Sequence, residues 1–184
     1  MTRRVAIALV HYPVLDGQNS VVTSAITNLD VHDLARSART YGCSDYFLVH
    51  PIEAQRTLVG RITEHWTTGS SSMRIPARKH ALALARPVPS LDDAFAAMGG
   101  REAIEVWSTA ARMADGVITF AQGKTRMSDD RPLLILFGTA WGLADSALAT
   151  CDARLEPIGA REPSGYNHLS VRSACAITLD RLLG

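Results

Sequence analysis

Four stretches of this chain hold residue types that could do chemistry. PLLILFGTAWGL, from Pro132 to Leu143, runs an apolar segment into Gly138, then Thr139, Ala140, Trp141 and Gly142. Glycines placed this way after a buried strand let the backbone turn through positive φ. They also let a ligand reach main-chain donors without meeting a Cβ. YNHLSVRSACAITLDRLL, from Tyr166 to Leu183, opens polar and aromatic and then turns helical, with Ser170 as its N-cap. NLDVHDLARSARTYG, from Asn28 to Gly42, puts Asp30 at a helix start and Arg36 and Arg39 three apart on one side of it. That side is either a solvated helix face or a grip for an anion. Arg74, Arg78, Lys79 and His80 make the densest basic cluster in the chain, and contacts to phosphate are mainly charge-driven.

Several other chemistries lack their residues. The histidines at 11, 32, 50, 65, 80 and 168 form no HExxH or HxH pair, so no metal site is predicted. There is no GxSxG elbow and no GxGxxG after a strand. GKT at 123–125 is not a phosphate-binding loop, because that motif needs glycine where Ile118 stands. Cys43, Cys151 and Cys175 are widely spaced, odd in number and without a CxxC, which suits buried free thiols in a reducing compartment. His11 and Tyr12 follow the apolar run Val5–Val10, at a strand end where substrate contacts often lie; a solvated histidine and a capping tyrosine would read the same way.

The elements that must position these residues alternate along the chain. Val5–Val10, Tyr46–Val49, the run Ala81–Val88, Ala103–Trp107 and Leu133–Phe137 read as strands. Asp30–Gly42, Glu53–Trp66, a helix capped by Ser90, one capped by Thr119 and the C-terminal segment read as helices. On the last, Val171, Ala174, Ile177 and Leu182 are predicted to turn inward, with Arg172, Ser173, Asp180 and Arg181 outward. Between the second helix and the basic cluster, 67–72 is a Gly/Ser hinge by composition. The alternation predicts an α/β domain with a mostly parallel sheet and helices on both faces.

GTAWGL after a buried strand, then Pro157–Ile158–Gly159, then NHLSVRSA entering a C-terminal helix resembles the SPOUT class of S-adenosylmethionine-dependent RNA methyltransferases. More narrowly it is similar to a bacterial family whose domain stands alone or is joined to the tRNA guanine-N1 methyltransferase. The resemblance covers nearly the whole chain and implies one domain over 1–184, a C-terminal deep trefoil knot and a homodimer. It implies S-adenosylmethionine held by Thr109, Phe137, Gly138, Thr139, Gly142, Glu156, Ile158, Gly159, Asn167, His168, Leu169 and Ser170. Arg36 matches the arginine of the class's first motif, and Asp30 falls where that motif has asparagine. A base is needed only if the accepting atom starts protonated, and Asp30 or Asp33 could serve one, with Arg36 orienting the nucleotide. Arg39, Arg74, Arg78, Lys79 and Arg112 are the implied RNA contacts, on tRNA or rRNA. The alternative is an RNA- or ligand-binding module that keeps the cofactor slot without turnover.

Bulk properties agree with a soluble cytoplasmic domain. The 184 residues are 47% hydrophobic and 20% charged, enough for a sizeable core. A net charge of +1 gives no overall field for nucleic acid, so an RNA surface must be a local patch. No run approaches a membrane span, and the N-terminal apolar run is too short for a signal segment.

Overall fold

The computed structural model describes residues 3–69 and 71–184, so Ser70 of the predicted hinge lies outside the described residues. The strands are β1 (Val5–Val10), β2 (Val14–Leu15), β3 (Val21–Val22), β4 (Tyr46–Val49), β5 (Ala85–Val88), β6 (Glu105–Ser108), β7 (Leu133–Gly138) and β8 (Ala153–Arg154). The helices are α1 (Asn28–Thr40), α2 (Glu53–Thr67), α3 (Ser71–Arg74), α4 (Pro76–Leu82), α5 (Leu91–Ala97), α6 (Phe120–Arg126), α7 (Asp145–Leu148) and α8 (Val171–Leu183). No described helix is long and apolar enough to cross a membrane.

The main sheet has six strands in the order β5-β4-β1-β7-β6-β8, and every pairing in it is parallel. β1 and β7 are buried on both faces, so each reads as a continuous apolar run whose alternate residues feed two cores. Val5, Ile7, Leu9, Leu133, Ile135 and Phe137 join Leu34, Ala38, Leu82 and Leu179 in one core. Ala6, Ala8, Val10, Leu134 and Leu136 join Leu91, Phe95 and Ala147 in the other. Helices therefore cover both faces, as predicted.

Three details differ from the sequence reading. The run Ala81–Val88 is not one strand: α4 ends at Leu82 and only Ala85–Val88 pairs, at the sheet edge. The turn after His11 holds a small antiparallel hairpin, β2 with β3, closed by the Asp16 carboxylate accepting from Gln18 N and Ser20 N at 2.8 and 2.9 Å. On α8 the buried stripe is Cys175, Thr178, Leu179 and Leu182, whereas Val171, Ala174 and Ile177 are half-buried. The stripe is rotated because Arg172, expected in solvent, is drawn in by acidic partners on α1.

Candidate cofactor and acceptor site

Because the strands are parallel, their carboxyl ends share one edge, and the loops leaving β1, β6, β7 and β8 gather there. The turn after β7 is the most tightly held. Thr139 N donates to Val10 O at 3.3 Å, Gly142 N to Thr139 O at 3.0 Å and Trp141 N to Leu15 O at 3.0 Å. Leu15 N returns a bond to Gly142 O at 2.9 Å, and Ala144 N reaches Pro13 O at 3.1 Å. The two glycines serve different ends. A Cβ on Gly138 would come within 2.9 Å of Leu143 N, so glycine there permits close backbone packing. Gly142 has open space around its missing Cβ, but its φ of +112° favours glycine. Ala140 takes φ +51° without that excuse, a strained position of the kind that clusters at binding sites.

The opposite wall is the segment leading into α8. Glu156 N donates to Ile118 O at 2.9 Å, and its carboxylate accepts from Phe120 N at 2.6 Å, at the start of α6. Asn167 Nδ2 donates to Ala111 O at 3.3 Å, joining this segment to the loop after β6. Ser170 caps α8 as predicted, accepting from Ser173 N at 3.2 Å. Gly159 has no atom within 4 Å of where a Cβ would sit. These loops leave Met113, Trp141, Tyr166 and Leu169 exposed to 68, 63, 70 and 44%. Apolar side chains edged by main-chain polar groups suit a cofactor with an adenine ring, hydroxyls and an aminocarboxyl group.

Three expected cofactor contacts are otherwise engaged. The Phe137 ring is only 1% exposed and belongs to the core under α8, so it offers no side-chain contact. Ile158 packs against the same core. Thr109 turns its Oγ1 onto Leu136 O at 2.9 Å, where its N–H also donates, at 3.1 Å. His168 is exposed, with its ring 6.3 Å from that of Tyr166.

The acceptor-side residues lie between α1 and α8. Asp30 is not the N-cap. Thr27 is, accepting from Asp30 N at 3.2 Å, and its hydroxyl donates to Asp30 Oδ2 at 2.6 Å. Asp30 is therefore one turn into the helix and buried, with its other oxygen 2.7 Å from Arg172 Nη1. The Thr-x-x-Asp pattern at 27–30 is a capping signature that sequence reasoning missed. Asp33 is 3.6 Å from Arg36 and 3.6 Å from Arg172 Nε. Asp33, Arg36, Tyr41, Ser170, Arg172 and Ser173 line an open groove of about 520 Å³.

The basic residues separate into tethers and exposed cations. Arg39 donates from Nε and Nη2 to the His80 carbonyl at 2.9 and 2.7 Å, fastening α4 to α1. Arg78 lies over the Trp66 ring at 4.5 Å, and His32 meets that ring edge-on at 5.4 Å. Burial, then the nearby Arg78 charge, holds His32 below its ordinary pKa. Arg36, Arg74, Lys79 and Arg112 present exposed side chains.

Comparison with known proteins supplies the identity that this geometry suggests. Residues 4–184 match a family of S-adenosylmethionine-dependent RNA methyltransferases. The chain belongs to that family. It is 43% identical over 184 residues to a tRNA (guanine-N(1)-)-methyltransferase of Oleidesulfovibrio alaskensis, covering 99% of this chain and 42% of that protein. The chain thus spans less than half the length of that relative. It is 36% identical over 187 residues to an uncharacterized protein of Aquifex aeolicus, of which it covers 89%, with 99% of this chain included. The SpoU methyltransferase AviRb of Streptomyces viridochromogenes, solved in complex with AdoMet, superposes with a TM-score of 0.61 at 16% identity, covering 100% of this chain and 60% of that one. The fold is thus that of SpoU-type methyltransferases.

Proposed function

We propose that this family member transfers a methyl group from S-adenosylmethionine to a nucleotide of tRNA, acting in the cytoplasm as a homodimer of one-domain subunits. The observation that carries the reading is a juxtaposition. Loops rich in main-chain polar groups and exposed apolar side chains stand at the strand carboxyl edge, and α8 leads from them to a groove lined by Asp33, Arg36 and Arg172. S-adenosylmethionine, when bound, supplies an electrophilic methyl group. The Gly138–Gly142 turn, Glu156–Gly159 and Asn167–Ser170 would hold it, and alignment is most of the catalytic work in such a displacement. Asp30 is committed to Thr27 and Arg172, so in this reading it sets the distance between α1 and α8. Asp33, half-exposed, is the carboxylate placed to take a proton from a ring nitrogen, and Arg36 is placed to hold phosphate or ribose. Arg74, Lys79 and Arg112 extend the cationic surface. The C-terminal helix α8 is the element we assign to the contact with the second subunit, and the knotted threading of the C-terminal segment belongs to the same reading.

The test is transfer of labelled methyl to tRNA from cells lacking the protein, followed by mass spectrometry of the nucleosides. One methylated nucleoside is expected to appear, and light scattering should give twice the 19.9 kDa chain mass. Cofactor binding without transfer to any RNA would replace the enzyme with a binding module.

A further inference from the structure

His11 has a relative exposure of 0%, and its Nε2 has no hydrogen-bond partner among the described residues. Its other nitrogen, Nδ1, is 2.9 Å from Ser24 Oγ, which is itself 2.5 Å from Thr139 Oγ1. Thr139 Oγ1 donates to Val10 O at 3.0 Å. Donor counting fixes the direction of every bond in this chain. The single Thr139 hydroxyl proton is spent on Val10 O, so Ser24 must donate to Thr139. The Ser24 proton is then spent as well, so His11 Nδ1 must carry the hydrogen that reaches Ser24. The imidazole is the Nδ1–H tautomer, with a bare Nε2.

Ser24, the middle member, is held from every side. Its N–H donates to His11 O at 3.0 Å, and its carbonyl is 3.0 Å from His50 Nε2. His50 Nδ1 accepts from Ile52 N at 3.1 Å, so His50 Nε2 is the donor to Ser24. The relay thus runs from the end of β1, through the segment before α1, to the first free residue of the turn after β7, and closes on Val10 beside its starting point.

A phenylalanine would fill the same buried space but could not donate to Ser24. We infer that His11 is a positioning residue for the cofactor turn, fixing the Thr139 hydroxyl through Ser24 and thereby the Gly138–Gly142 backbone that receives S-adenosylmethionine. The inference rests on the assignment of that turn to the cofactor. Burial, and then the neighbouring His50, holds the His11 pKa down to about 4, so the ring stays neutral and keeps one tautomer at working pH.

The experiment is calorimetric titration of S-adenosylmethionine into the wild-type chain and into H11F, S24A, H11F/S24A and H11N, alongside hydrogen exchange without cofactor. H11F and S24A should each raise Kd about tenfold. Because the bonds are in series, the double variant should be no worse than either alone. H11N, whose amide can donate from near the Nδ1 position, should restore most of the affinity. Exchange at Trp141 and Gly142, whose amides are bonded across and within the turn, should quicken in H11F while β1 and α8 stay protected. H11F binding with wild-type affinity, or a multiplicative loss of about a hundredfold in the double variant, overturns the inference alone. No binding by the wild-type chain overturns the cofactor reading and this inference with it.

Discussion

Asp30 and Arg172 offer the sharpest test of how the acceptor side is built. The Asp30 side chain is 8% exposed and that of Arg172 is 32% exposed, so the pair is neither a surface ion pair nor a fully buried one. Surface pairs contribute about 0–1 kcal/mol, and breaking a buried pair from one side costs about 3–5 kcal/mol. The 2.7 Å bond joins helices separated by most of the chain, and Thr27 Oγ1 completes the carboxylate at 2.6 Å. Asp30→Ala should therefore cost about 3 kcal/mol. Asp30→Asn keeps an oxygen for Arg172 and should cost about half as much, since Asp33, 3.6 Å from Arg172 Nε, takes up part of the unpaired charge. In a chain of 184 residues that lesser loss lowers Tm by about 3–6 °C. Urea denaturation at pH 7 of Asp30→Asn, Arg172→Gln and the double variant gives the coupling directly, expected at about 1–2 kcal/mol. Turnover of Asp30→Asn, assayed where it is fully folded, should stay within a few-fold of wild type. A coupling indistinguishable from zero, or a hundredfold loss of turnover at unchanged stability, would refute the reasoning and return Asp30 to the chemistry.

Other outcomes follow from the same coordinates. Glu105 accepts from Arg3 Nη2 at 2.5 Å and from Trp107 Nε1 at 2.8 Å, and the Arg3 side chain is 1% exposed. Glu105→Ala should thus cost about 3–5 kcal/mol by urea denaturation, whereas Glu102→Ala, exposed nearby, should be nearly silent. His11 is neutral when folded, with its pKa lowered from 6.5 to about 4, whereas the unfolded chain takes up the proton near 6.5. The resulting stability is fully present above pH 6.5 and is lost as pH falls toward 4. At about 1.4 kcal/mol per pH unit it amounts to about 3 kcal/mol, and H11F should flatten that part of a stability–pH profile. Ala140→Gly should raise stability by about 0.5–1 kcal/mol, because relief at φ +51° outweighs the added freedom of the unfolded chain. Burial pushes the Cys43 thiol up to about 12 and Cys175 higher still, so both should react with a disulfide reagent only at the rate of unfolding.

The sheet was legible because its signals are local. Val5–Val10 and Leu133–Phe137 are apolar at every position, a pattern that a strand buried on both faces produces and an amphipathic one does not. Ser90, Thr119 and Ser170 each cap the helix they were expected to cap, since an N-cap acts within three residues of itself. The edge strand was misread because the apolar residues of Ala81–Leu84 run on into Ala85–Val88 without a break signal, and the pairing that makes Ala85–Val88 a strand is with β4, outside the run. The β2–β3 hairpin was missed because two-residue strands carry no periodicity.

The glycine turn and the capped entry to α8 were legible from residue type and spacing, their link to a cofactor came from the family resemblance alone, and the state of the side chains could not be read. Asp30 owes its burial to Arg172, 142 positions away in sequence, and Arg39 is tied to a carbonyl 41 positions away. Neither contact leaves a mark on the local pattern, so a committed carboxylate and a free one look alike. One local mark did exist. Thr27 and Asp30 stand at the spacing of a capping box, and reading that box moves the helix start forward to Asn28 and Asp30 one turn inward. An acid one turn inside a packed helix must find a partner or lose its charge, and the arginine opposite it on α8 is that partner. Asp33, a further three residues along, then emerges half-exposed at the groove, so one of the two acids holds the helices together while the other faces the open groove.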